Sequence, residues 1–107
     1  MNAERKIPKT YIQFREDHPE VAKSYEALGQ SLSELGALDA RTVALVKLAL
    51  AVASQREGGV HSAARKASDA GISTEEMRQV ALLGIGTIGF SSAMAAYSWI
   101  GDVVDTD

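Results

Sequence analysis

The segment that most constrains this chain is DARTVALVKLALAVASQ, residues 39–55. Between Val43 and Ala53 its only charged residue is Lys47. Alanine and leucine outnumber β-branched residues, and no turn-forming residue interrupts the run, so it reads as a helix. Asp39 stands where a helix N-cap belongs. A helix apolar nearly all round is buried on more than one side. In a chain of 107 residues it must be central, or part of it must meet another subunit. For Lys47 two readings stand. It is a buried charge facing an acid of another subunit, or, more commonly, its stem lies on apolar surface and its ammonium reaches water.

Around this helix the same period recurs. Asp17-His18-Pro19-Glu20 is a helix start, with proline in the first turn where its missing N–H costs nothing. Val21, Tyr25, Leu28, Leu32 and Leu35 then mark one face, and Gly36 is a plausible stop. Glu57-Gly58-Gly59 breaks the pattern after the central helix, and a short helix follows, closed by Gly71. Ser73-Thr74-Glu75-Glu76 is a capping box that opens the next helix, which carries Met77, Val80, Ala81 and Leu83 inward. A last helix from about Ser91 carries Met94, Tyr97, Trp99 and Val103 or Val104. No segment reads as a strand. The expectation is an all-α bundle of five to six helices: a polar arm over residues 1–10, then one domain over 11–107.

Composition removes several function classes. There is no cysteine, which excludes disulfides, cysteine-bound zinc, redox dithiols and cysteine nucleophiles. A net charge of −3 without a basic stripe beyond Arg65-Lys66 gives no nucleic-acid footprint. The N-terminus lacks the apolar run of a signal peptide, so a cytoplasmic location is the default. The uncharged stretch from Gln79 to Gly101 has the length of a membrane span. Its glycines and serines, and the absence of flanking Lys/Arg clusters, favour a buried helical hairpin instead, and no membrane association is expected. Within it, Gly84-Ile85-Gly86-Thr87-Ile88-Gly89 matches G-x-G-x-x-G, but a helix precedes it where the dinucleotide fingerprint needs a strand. Glycines that allow close packing and then end a helix explain it better.

The order of features from Leu38 to Val104 resembles the carboxymuconolactone decarboxylase and alkylhydroperoxidase D-like family. The resemblance is carried by Leu38-Asp39-Ala40-Arg41 before an Ala/Leu-rich helix, then the break at Arg56-Glu57-Gly58-Gly59. The helix His61–Ala70 follows, then Gly71-Ile72-Ser73-Thr74-Glu75-Glu76 and Gly89-Phe90-Ser91-Ser92-Ala93-Met94. It implies an all-α fold and homo-oligomers such as trimers or hexamers. Peroxidase members carry Cys-x-x-Cys-x-x-x-His at the break, with a glutamate upstream. Aligned by the distance to Gly71, the cysteines fall on Arg56 and Gly59, the histidine on Ala63 and the glutamate on about Ala44. A thiolate must attack peroxide and a second thiol must resolve the sulfenic acid, and these residues do neither. The decarboxylase histidine also falls on Ala63.

What remains near the break is Glu57, His61 and Arg65, spaced by four and so on one helix face. Glu57 and His61 could act as acid and base on a small carbonyl or lactone substrate, with Arg65, Tyr97 and Trp99 binding it. The blander alternative is a solvated or interfacial salt-bridge face, with the aromatics as core residues. Gly58 and Gly59 would spoil the alignment if they interrupt the helix. His18 and His61 are too far apart in sequence for a metal-site spacing, and no metal or cofactor is expected. The rival to an enzyme is a non-catalytic oligomeric interaction or accessory module.

Overall fold

A computed structural model describes residues 7–105. Seven helices appear there: α1 (Lys9–Asp17), α2 (Pro19–Ser33), α3 (Ala40–Ser54), α4 (Glu57–Asp69), α5 (Thr74–Leu83), α6 (Ile85–Ile88) and α7 (Phe90–Val104). Among the described residues there is no strand, so the all-α expectation holds; the count exceeds the five to six helices expected because α1 and the four-residue α6 are additional. The chain divides into two compact units at Leu38/Asp39. Residues 1–6 of the expected arm lie outside the described residues.

In the first unit, α1 begins within the stretch expected to be an arm. Tyr11, Ile12 and Phe14 are its only large apolar or aromatic residues, and nine polar-rich residues carry too weak a period to announce a helix. The Tyr11 and Phe14 rings lie 5.8 Å apart, and the Tyr11 hydroxyl donates to Glu26 of α2. Pro19 occupies the first turn of α2 as expected. The stripe Val21, Tyr25, Leu28, Leu32 is present but exposed in this chain, at 57–63% of each residue's surface. Ala22 is the one buried residue of the two helices. Gly36 lies beyond the end of α2 at φ 90°.

The second unit holds the core. Leu48 and Val52 of α3, Val60, Ala64 and Ala67 of α4, Ile72 of the joint that follows, Met77 and Ala81 of α5, and Ala96 and Ile100 of α7 form one buried cluster. Burying a side chain such as Leu48, Met77 or Ile100 contributes about 1.5–3 kcal/mol. Alanines on α4 and α7 supply no bulk, but they let two backbones approach closely, which is why this pair is extensively packed. The larger residues expected inside α7, Met94, Tyr97 and Trp99, are only half-buried. Leu83 was expected inward and is 67% exposed. Leu50 of α3 is 64% exposed, and Lys47 is exposed too.

The joints follow local chemistry. The Asp39 carboxylate accepts from the Thr42 N–H at 2.7 Å, capping α3. Helix α3 ends at Gln55 in the left-handed region, φ 56° and ψ 36°. Its side-chain amide donates to the carbonyls of Val52 at 3.0 Å and Ser92 at 2.9 Å. Helix α4 ends in a Schellman motif: the Gly71 N–H reaches Ser68 O and the Ile72 N–H reaches Ala67 O, both at 3.0 Å, with Gly71 at φ 87°. The capping box then opens α5, with Ser73 N–H donating to Glu76 at 2.9 Å and Glu76 N–H to Ser73 Oγ at 3.1 Å.

The glycine-rich stretch is a joint between helices. A Cβ at Gly84 would come within 2.9 Å of Ala81 O and 3.4 Å of the Ile88 side chain, whereas nothing lies near one at Gly86. Close approach therefore occurs inside the turn itself, at one glycine, rather than along a helix packed on a neighbour. Gly89, at φ 95°, opens α7. No strand precedes the motif, which removes the dinucleotide reading. No helix among the described residues is long and apolar enough to cross a membrane.

Candidate functional site

Helix α4 starts at Glu57 and runs through Gly58 and Gly59 without a break. The interruption falls one turn earlier, at Gln55. Glu57 and His61 therefore do share a face, with Glu57 Oε2 3.9 Å from His61 Nε2. Glu57 also stands in the first helical turn, where the positive end of the helix favours a carboxylate. The third member of the cluster comes from α7. Asp102 Oδ2 lies 2.9 Å from the same His61 Nε2. His61 is partly sheltered, 24% exposed, while the two carboxylates are 59% and 55% exposed.

Two buried surfaces fix this convergence. Val60 and Ala64 flank His61 on α4, and Ile100 precedes Asp102 on α7, and all three are fully buried. The positions of the donors are thus set by helix packing, while their last bonds remain free to rotate. Sequence spacing pairs only residues of one helix, so it misses Asp102. A signal existed: Asp102 is the first charged residue after the uncharged stretch from Gln79 to Gly101.

A carboxylate at Nε2 favours the tautomer with its proton there, donated to Asp102, and leaves Nδ1 with a lone pair. Such an imidazole can accept a proton, and the carboxylate stabilises the imidazolium that forms. Asp102 and Glu57 are thus placed to orient His61 and to balance its charge.

The other expected site residues lie on the same two helices as the trio, Arg65 on α4 and Tyr97 and Trp99 on α7. Arg65 is half-buried one turn beyond His61 on α4. Tyr97 carries the Arg78 guanidinium 5.5 Å from its ring centroid, and Arg78 donates to Asp105 at 2.6 Å. Trp99 packs against the core cluster, as does Tyr97. Of the positions aligned with redox residues, Ala44 and Ala63 are partly buried against the core, and Arg56 and Gly59 are exposed at the start of α4. A Cβ built on Gly59 would stand 3.8 Å from Arg56 Cβ.

A second polar pair braces the unit. Arg41 at the start of α3 bonds Glu76 of the capping box. That guanidinium, with the Ser73 backbone N–H, holds the Glu76 carboxyl down from 4.5 to about 2.

An all-helical chain with a Schellman-to-capping-box joint, no thiol, and one histidine held between two carboxylates defines a helical protein without dithiol chemistry. Residues 19–102 match the carboxymuconolactone decarboxylase family, and the chain belongs to it. The match begins upstream of Leu38, taking in α2, and leaves α1 outside. Comparison with curated proteins and with solved structures gave no match.

Proposed function

We propose that this chain is a non-redox member of the carboxymuconolactone decarboxylase family that binds or transforms a small carbonyl or lactone compound by acid–base chemistry. His61 is the base in this reading. Asp102 and Glu57 orient it and offset its charge, and Arg65, Tyr97 and Trp99 are the substrate-binding candidates. The observation that carries the proposal is the 2.9 Å contact between His61 Nε2 and Asp102 Oδ2, with Glu57 Oε2 at 3.9 Å. Dithiol peroxidase activity is excluded, because the sequence has no cysteine.

The test is decarboxylation of carboxymuconolactone, the compound in the family's name, followed by CO2 release, alongside solvent-deuterium exchange into simple butenolides. Loss of a general base costs about 10²–10⁴-fold in rate, so His61→Asn is expected to abolish detectable turnover. Asp102→Asn should lower it less. Turnover unchanged in His61→Asn, or no turnover and no exchange by the unaltered protein, would sink the acid–base reading.

A second reading, a non-catalytic oligomeric module, is favoured by the exposed apolar positions. Val21, Tyr25, Leu28 and Leu32 on α2, and Leu50, Leu83 and Phe90 in the second unit, are each more than half exposed. Covering them in a homo-oligomer, a trimer or hexamer, would remove that surface from water. Both readings include this assembly, and the family match across Leu38/Asp39 supports treating residues 11–107 as one domain. Sedimentation equilibrium that gives a monomer at micromolar concentration would count against the assembly.

A further inference from the structure

We infer that Glu57, His61 and Asp102 form a binding site for one divalent transition-metal ion of the zinc type. Their donor atoms, one imidazole nitrogen and two carboxylate oxygens, lie within 4.8 Å of one another. Ligands about 2.0–2.1 Å from a tetrahedral ion are about 3.4 Å apart. The observed separations from His61 Nε2, 2.9 Å to Asp102 and 3.9 Å to Glu57, bracket that spacing. Both carboxylates are more than half exposed, so small rotations of their side chains complete the geometry without moving a helix.

Sequence spacing hides this set because its third donor is 41 residues from His61. The i, i+4 pair on α4 supplies two ligands from successive turns, and the packed α7 brings the third. The donor chemistry selects the ion. One imidazole with two carboxylates suits zinc, cobalt, nickel or manganese, while the absence of thiolate disfavours soft ions. Calcium takes six to eight oxygens, and three protein donors fall short of that. Two carboxylates and a neutral imidazole balance the charge of a divalent cation. Three protein ligands leave a coordination position for water.

The ion takes the place of the proton that His61 Nε2 shares with Asp102. Metal binding therefore competes with the acid–base role of His61, but does not depend on it, because binding is read without substrate. Affinity should fall on acidification, since a protonated imidazole is no ligand.

The experiment is calorimetric titration of the EDTA-stripped full chain with ZnCl2, with Co2+ absorption as a second readout. One site per chain is expected. Loss of an outer-shell supporting group costs roughly 10–100-fold in metal affinity. His61→Ala should cost at least that, and Asp102→Asn and Glu57→Gln should each weaken binding at least tenfold. His18→Ala, the control for adventitious histidine binding, should leave it unchanged. The three site variants are first checked for folding by circular dichroism, and the exposed Asp102→Asn keeps the test open if His61→Ala does not fold. Absence of saturable Zn2+ or Co2+ binding overturns the proposal. So does wild-type affinity in either Asp102→Asn or His61→Ala, or an equal loss in His18→Ala.

Discussion

Replacing Arg56→Cys and Gly59→Cys together should create a disulfide at the start of α4. The backbone already has the spacing: a Cβ on Gly59 stands 3.8 Å from Arg56 Cβ. Bridged cysteines have Cβ atoms about 3.5–4.5 Å apart. Nothing else lies within 4 Å of the new Cβ, so no clash opposes it. Closing a ring of four residues removes about 2 kcal/mol of chain entropy from the unfolded state, in the loop-closure approximation. For a unit of this size that is a melting temperature roughly 8–16 °C higher for the oxidised than for the reduced double variant. The assay is clean because the unaltered chain has no thiol. Thiol titration should read two groups per chain after reduction and none after mild oxidation, with the melting temperature measured in both states. Thiols that stay free under oxidant, or a lower melting temperature on oxidation, would refute the claim that these positions keep dithiol geometry. Peroxidase activity should stay at background even when the disulfide forms. The partner positions are Ala63 and Ala44, which supply neither base nor proton relay.

Two further perturbations test the scaffold. Gln55→Gly should be more stable than Gln55→Ala by roughly 1 kcal/mol, the reverse of ordinary helix preference, because φ is 56° at this position. Both lose the amide bonds to Val52 and Ser92, at about 0.5–1.5 kcal/mol each, so the alanine variant should fall below the unaltered protein in urea denaturation, while relief of the left-handed strain offsets part of that loss in the glycine variant. An alanine variant as stable as the glycine variant would contradict the left-handed joint. Glu76 governs acid sensitivity. Its folded-state value is depressed from 4.5 to about 2, first by Arg41 and then by the Ser73 N–H. The stability it adds is present above about pH 4.5 and is lost as pH falls through that range towards 2. Glu76→Gln should flatten the acid limb of the stability curve between those values. Equal acid sensitivity in both proteins would show that other carboxylates set it.

Local signals were legible wherever a joint depends on adjacent residues. Asp39, Pro19, Gly71 and the Ser73–Glu76 box each act on backbone groups within a few positions, so their residue types announce the helix ends. The absence of thiols, and its location at Arg56 and Gly59, also came from sequence and the family pattern. Periodicity gave the faces of α2 and α5 but could not say whether a stripe is covered within this chain. Val21, Tyr25, Leu28 and Leu83 are apolar at helical spacing and exposed all the same. The core sets Leu48, Val60, Met77 and Ile100 among alanines of α4, α5 and α7, whose weak hydrophobicity carries little pattern but whose size permits close backbone approach.

The candidate site divides the same way. Four-residue spacing on one helix was enough to pair Glu57 with His61. Asp102 joins them only because the packed faces of α4 and α7 bring residues 41 apart to 2.9 Å. Sequence by itself determined the helical class, the capped joints and the loss of dithiol chemistry, because those depend on residue identity and short-range bonding. Tertiary structure decided which apolar faces are buried and which carboxylate meets the histidine, because both depend on contacts between residues distant in the chain.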